Sequence, residues 1–346
     1  MNTDFISDVA ISDRDHSTGV ECARQDDTFR VGLGLAYAHH GELFQGVFQG
    51  SDNRLRRGLV TIPCGIFRSE ATFHPDASGR LKIEPAGRMK TRKAVDLALD
   101  WADKPRCGGV LRLRSNIPAG WGLGSSTCDV VASIRAVADA FEMNLTPLET
   151  AALAVRAEVA SDSIMFDESV VLFAQREGHI IEDFRMPLPG VEVLGFNTDR
   201  SGSGVDTLGF SAARYRCWEI EAFRPLVGLF RRAVQLQSAQ LLGQVATASA
   251  EINQRFLPKP HFERLRGIGR SVGAVGIQVA HTGTVVGLLF DPQDEAKEAR
   301  MQDARTMLKE LGITRTWDFH TAERFEAFEK LGSSFQAFER KGSICQ

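Results

Sequence analysis

Long apolar runs are missing from this chain of 346 residues, and none approaches the roughly 20 residues needed to span a bilayer. An excess of one charge is missing too. Forty-one Lys and Arg stand against 44 Asp and Glu, a net charge of −3, and no basic stripe marks a nucleic-acid surface. The six cysteines (Cys22, Cys64, Cys107, Cys128, Cys217, Cys345) include no C-x-x-C pair, so neither a zinc site nor a disulfide framework is indicated. Tyrosine is scarce: 2 against 22 Phe, which makes the aromatics core material and not a base-stacking platform. The first 28 residues lack the basic start and apolar stretch of a signal peptide and carry Asp4, Asp8, Asp13, Asp15, Asp26 and Asp27. They read as a flexible polar tail, and the chain as cytoplasmic. What is present is an ordinary composition, 43% hydrophobic and 25% charged, in a chain long enough for two domains and suited to small-molecule chemistry.

Hydrophobic spacing interleaves strands and helices, which predicts an α+β class. Strand-like segments at Phe29–Leu33, Gly46–Phe48, Gly58–Ile62 and Gly65–Phe67 precede a helix over Thr91–Trp101. Val110-Leu-Arg-Leu-Arg114 alternates as a strand. Val130, Val131, Ile134, Val137, Ala138 and Phe141 then mark one buried helix face. Thr146-Pro-Leu-Glu149 is a capping box with proline at the first helical position, opening a helix to about Ala160. Strands follow over 169–175, 179–184 and 191–196. The turn-rich Asn197–Gly204 separates a domain over 29–200 from one over 201–346. The second has helices over 211–237 and 239–256, a break at Leu257-Pro-Lys-Pro260, and a strand–turn–strand unit over 275–290. A charged helix over 294–311 and a strand near 314–319 complete it.

Between strand and helix lies Pro118-Ala-Gly-Trp-Gly-Leu-Gly-Ser-Ser-Thr127. Glycines at 120, 122 and 124 allow backbone N–H groups to face one concavity, and a helix entrance adds unpaired donors and the positive end of its dipole. Together they form a phosphate cradle, with Ser125, Ser126 and Thr127 offering hydroxyls to phosphate or Mg²⁺. A Walker loop needs Lys-Ser/Thr after its last glycine, and a dinucleotide fingerprint needs a third glycine where Thr127 stands.

Pro118-x-x-x-Gly-Leu-Gly-Ser-Ser126 resembles the phosphate loop of the galactose, homoserine, mevalonate and phosphomevalonate (GHMP) kinases. Gly41-Glu-Leu-Phe-Gln-Gly46 with Val60–Cys64, Glu158 with Ser161-Asp-Ser163, and Gly276–Gly287 are similar to one branch, the L-threonine kinases of the cobalamin side-chain pathway. The resemblance spans roughly residues 30–290. It implies a two-domain GHMP fold, with an N-terminal domain like ribosomal protein S5 domain 2 and a ferredoxin-like C-terminal domain. It also implies ATP and Mg²⁺ as cofactors and a small hydroxyl compound as acceptor, L-threonine first and homoserine second. Pro118, Gly120, Gly122, Leu123, Gly124, Ser125, Ser126 and Thr127 would form the ATP site, with Ser125 and Glu158 on Mg²⁺. Asp162 would be the catalytic carboxylate. Glu42, Gln45, His281, Thr282 and Gly283 would face the acceptor.

Three features depart from the family pattern. Glu158 and Asp162 are closer in sequence than the usual metal Glu and catalytic Asp. Ala36–His40 contains no Lys or Arg, where mevalonate-type enzymes carry a lysine. His39 and His40 replace small residues of the threonine branch, and read as pocket or core residues. Without the loop, Glu158 would read as a helix carboxylate paired with Arg156 or Arg135, and Asp162 as a helix terminator. Asp167 is the rival for the base. An ATP-binding regulator without turnover and an RNA-binding module are the readings from other classes, the second opposed by the acidic balance.

Overall fold

β1 (Gly32–Gln49) and β2 (Leu55–Asp76) run antiparallel through the middle of a computed structural model that describes residues 29–50, 52–199 and 214–322. The tail expected over 1–28 lies outside the described residues. Sequence reading splits β1 and β2 into four short strands at their glycines. The glycines instead lie within continuous strands, and irregularities of register around Tyr37–Ala38, His39–Glu42 and Glu42–Phe44 take up the bends. Such bulges kink and twist a strand without ending its pairing.

On one side, β4 (Gly108–Ser115) pairs with β2, and β3 (Leu81–Glu84) pairs parallel to β4. β5 (Val171–Ala174) also pairs with β2 and is followed by its hairpin partner β6 (His179–Asp183). On the other side β8 (Gly276–Val279) joins β1 through Glu42, opposite Val279. β9 (Val285–Phe290), β7 (Glu192–Asn197) and β10 (Thr316–His320) follow outward. Among the described residues these ten strands make one sheet. The proposed division at 200/201 falls outside the described residues. β7 precedes it in sequence yet lies between β9 and β10, so the sheet and the chain divide at different places.

α2 (Ser125–Ala140) packs on β1 and β2, covered by α1 (Met89–Trp101) and α3 (Pro147–Glu158). Its apolar face, Val130, Val131, Ile134 and Val137, is fully buried with Phe73 and Leu111, as the helical spacing predicts. The capping box forms, with Thr146 Oγ1 accepting from Glu149 N–H at 3.2 Å and Glu149 Oε2 from Thr146 N–H at 2.8 Å. α4 (Cys217–Leu236) and α5 (Ala239–Asn253) bury Phe223, Phe230 and Leu242 against Phe44 and Phe48 of β1. α6 (Phe262–Ser271) and α7 (Lys297–Glu310) pack together beside β8 and β9. Sequence reading missed α6, whose Leu265, Ile268 and Gly269 are buried in a stretch otherwise dominated by Arg and Gly. It also missed the four-residue β3. Among the described residues no helix is long and apolar enough to cross a membrane.

Candidate active site

The glycine loop closes on α2 through Gly124, whose φ of +73° places it in the left-handed region that favours glycine. No side chain caps this helix, and the first turn bond runs from Cys128 N–H to the Gly124 carbonyl. The N–H groups of Ser125, Ser126 and Thr127 therefore lie ahead of the intrahelical ladder, at the positive end of the dipole. An uncapped helix entrance of this kind fits a phosphate group.

The loop is tied to the other section of the sheet. Trp121 carbonyl accepts from Thr284 N–H at 2.9 Å and from Val285 N–H at 3.1 Å. A Cβ at Gly122 would lie 2.5 Å from Ala280 Cβ and 2.8 Å from Gly283 Cα, so a glycine is needed for that approach. Trp121 also stacks on Trp317 of β10, with ring centroids 5.8 Å apart. Gly120 takes positive φ, Pro118 is half-buried, and Leu123 is sunk in the core below the loop. A phosphate role for Leu123 is thus left to its backbone.

Below the cradle the α2 hydroxyls meet two carboxylates. Ser126 Oγ donates to Glu158 Oε2 at 3.0 Å, and Thr127 Oγ1 lies 2.8 Å from Glu158 Oε1 and 3.2 Å from Asp162 Oδ2. These side chains point at carboxylates, which leaves the half-buried Ser125 as the hydroxyl at the helix entrance. Glu158 is buried, and its partners are Ser126, Thr127 and Lys90 Nζ at 3.8 Å, not Arg156 or Arg135. Burial, and then the charge of Asp162, push its carboxyl up to about 7 against the pull of those partners. A carboxylate held this high lacks a close cation, and its oxygens suit Mg²⁺.

Asp162 lies on the turn after α3, where Val159 takes a left-handed conformation and ends the helix. Its Oδ2 is 3.0 Å from Nε2 of His39, while His39 Nδ1 is 3.1 Å from the Gly41 carbonyl. Burial would raise Asp162, but the His39 charge, its hydrogen bond, Thr127 and Lys90 hold it below the usual carboxylate range. A Cβ at Gly124 would stand 2.5 Å from His39 Cδ2 and 3.1 Å from Asp162 Oδ2. A larger residue there meets this pair, where the sequence suggests only that it would fill a phosphate concavity. Asp167 is directed elsewhere, to Arg135 at 3.2 Å.

Glu42 is buried and accepts from His281 N–H at 2.8 Å, with His281 Nδ1 3.3 Å from the same oxygen. Ser249 Oγ is 3.1 Å from His281 Nε2. His281, Thr282 and Gly283 form the β8–β9 turn, so the structure brings them to Glu42 and to the loop. Gln45 is one step away: its side-chain amide donates to Gln175, and its N–H to Ser249 Oγ. His39, Glu42 and Asp162 place donor atoms within 4.8 Å of one another. Both His39 nitrogens already face acceptors, so the trio has the form of a charge cluster. His40 turns away, to Gln278 Oε1 at 2.9 Å.

Two lysines escaped sequence reading. Lys90 lies in the first turn of α1, just before the apolar positions that marked that helix. Lys259 stood in a segment read only as a break; it is 5% exposed and donates to the Gly283 carbonyl at 2.7 Å. Burial lowers its ammonium to about 7 against the opposing charge of Glu42. A lysine between two prolines carries no local signal that a neighbouring turn will bury it.

Residues 90–173 match the family model described as the GHMP kinases N terminal domain, and residues 230–302 match the GHMP kinases C terminal model. The chain belongs to the GHMP kinase family. Kinases of this family phosphorylate small hydroxyl-bearing substrates using ATP and Mg²⁺. An L-threonine kinase of Salmonella typhimurium is 27% identical over 299 residues, covering 83% of this chain and 91% of that protein. A homoserine kinase of Lactococcus lactis is 26% identical over 191 residues, 54% of this chain and 63% of that one. The solved homoserine kinase of Cytophaga hutchinsonii shares the fold, with a TM-score of 0.61 at 14% identity over 88% of this chain and 96% of that one. The α+β GHMP kinase fold implied by the loop motif is therefore the fold of this chain.

Proposed function

We propose that the chain transfers the γ-phosphoryl group of ATP to the hydroxyl of L-threonine, forming O-phospho-L-threonine and ADP. The observation that carries this reading is the closeness of Asp162 and Glu42, whose donor atoms lie within 4.8 Å in front of the α2 entrance. A β-hydroxy amino acid carries hydroxyl and ammonium on adjacent carbons, so one small molecule can meet both carboxylates. Both contacts of Glu42 with His281 fall on Oε2, which leaves Oε1 to the ammonium group. The similarity to the Salmonella L-threonine kinase over nearly its whole length supports the same acceptor.

Mg²⁺, when bound through Ser125 and Glu158, supplies charge neutralisation at the phosphates. The N–H groups of Ser125, Ser126 and Thr127 receive phosphate oxygens, and Gly120, Gly122 and Gly124 keep the approach open. Asp162 orients the acceptor hydroxyl and takes its proton as the new O–P bond forms and the bond to ADP breaks. Positioning of this kind supplies most of the rate in phosphoryl transfer. Release of ADP, measured across L-threonine, serine, homoserine and mevalonate, tests the acceptor, and L-threonine should stimulate it most. Homoserine, whose hydroxyl is one carbon farther from the ammonium, is the second reading, favoured by the Lactococcus relative. Stimulation by homoserine alone would establish it, and stimulation by no alcohol would make the chain an ATP-binding regulator.

A further inference from the structure

The His39 ring is 2% exposed and has an acceptor at each nitrogen. A backbone carbonyl can only accept, so the hydrogen bond to Gly41 requires a hydrogen on Nδ1. At Nε2 the contact with Asp162 is satisfied by a proton on either partner. Either the ring is an imidazolium beside a carboxylate, or it is neutral beside a carboxylic acid.

The surroundings separate these states. Acids crowd this point: Asp162 and Glu42 face the ring, and Glu158 shares Thr127 with Asp162. Of the lysines on this side, Lys90 is half-exposed and stands against Glu158, and Lys259 feels Glu42 while burial lowers its ammonium to about 7. His40, next in sequence, bonds Gln278 and adds no charge, since burial lowers it to about 4. The ring is also held in place. It sits in the bulged part of β1, its Nδ1 bonded to Gly41, with the Gly124 backbone against its edge. A clamped ring with acceptors at both ends is built to carry two hydrogens.

We propose that His39 is the positioning residue of the reaction, a fixed imidazolium that keeps Asp162 ionised and aimed at the acceptor hydroxyl. This rests on the reading of Asp162 as the group that takes the acceptor proton. In that step the hydroxyl O–H bond breaks, its proton moves to Asp162, and His39 keeps both of its own hydrogens. Burial disfavours charge on the ring, but Asp162, Glu42 and the Gly41 carbonyl hold it up to about 9. The ring thus stays charged where a free histidine is neutral.

The test joins a spectroscopic and a kinetic readout. In protein labelled with ¹⁵N-histidine, His39 should show two protonated nitrogens at pH 8, and only one after Asp162→Asn. His39→Gln preserves a donor but not the charge. It should lower kcat roughly 10–10²-fold, less than loss of the base itself, with ATP affinity unchanged. It should also move the acid limb of the kcat profile to higher pH, because Asp162 loses the charge that lowers it. A merely structural residue would leave that limb in place. His39→Lys, which restores a cation, should recover part of the rate. A singly protonated His39 ring at pH 8 in the intact chain overturns the proposal, as does a His39→Gln enzyme with normal kcat and an unmoved acid limb. If L-threonine proves not to be phosphorylated, the acceptor reading fails by itself, and the ¹⁵N spectrum still decides the charge on His39.

Discussion

The end of α3 and the turn that follows it hold two carboxylates four residues apart, and their surroundings drive them in opposite directions. Glu158, in the last turn, is buried against hydroxyls, and its nearest cation is 3.8 Å away. Asp162, past the left-handed Val159, reaches an imidazole at 3.0 Å. Burial acts on both in the same sense, yet Glu158 is held up to about 7 and Asp162 below its usual value. One close partner accounts for the reversal. The difference divides the labour in the proposed reaction: a carboxylate short of positive charge suits a metal, and one kept ionised suits a hydroxyl proton.

Asp162→Asn should have the largest effect, lowering kcat about 10²–10⁴-fold while ATP affinity changes little. Asp167→Asn, which alters the contact with Arg135 and not the Asp162 cluster, is the control; if it does the greater damage, the roles assigned to this turn are wrong. Glu158→Gln should raise the Mg²⁺ concentration needed for half-maximal rate, roughly 10–10²-fold as for other losses at a metal site. Without Mg²⁺ the same variant should be more stable than the parent above neutrality. The raised pKa of Glu158 means that the folded state loses stability as pH rises from the ordinary carboxylate value through about 7, and glutamine removes that loss. Melting temperatures between pH 5 and 8 should show the gap widening with pH; a constant gap would place Glu158 among ordinary carboxylates.

Gly122→Ala tests the other side of the cradle. Its φ of +84° and the contacts with Ala280 and Gly283 predict a stability loss of about 1–3 kcal/mol, measured by denaturant unfolding, together with weaker ATP binding. Lys90→Met should have the smallest effect. At 3.8 Å and half-exposed, Lys90 lowers Glu158 only slightly, so the Mg²⁺ requirement should rise a few-fold at most, most visibly near pH 7.

The elements legible in the sequence were those with local codes. The capping box at Thr146 opened α3 where it was placed, and the Val130–Phe141 periodicity marked the buried face of α2. The glycine loop pointed to the family because its glycines and serines all fall in one short stretch, Gly120 to Ser126. What escaped depends on distance in sequence. His39 and Asp162 are 123 residues apart, and nothing local in either segment points to the other. Lys259 is buried by a turn 24 residues away. The bulges of β1 escaped as well, because a glycine within a strand and a glycine ending one look alike until the partner strand is known. Gln45, placed beside the acceptor by resemblance, is drawn toward Gln175 by the same strand geometry that presents Glu42.

The stacked indoles of Trp121 and Trp317 give the molecule an optical consequence. Of four tryptophans, Trp101 and Trp218 are exposed, whereas these two lie with planes 20° apart, one in the phosphate loop and one on the outermost strand of the sheet. Paired chromophores at this spacing couple their transitions, and the coupling depends on their mutual angle and separation. Any displacement of the loop, as the proposed nucleotide binding would bring, alters that angle, because Trp317 is held by pairing of β10 with β7. The near-ultraviolet circular dichroism of the unlabelled protein therefore reports on the loop from within, over a background from two water-exposed rings on α1 and α4.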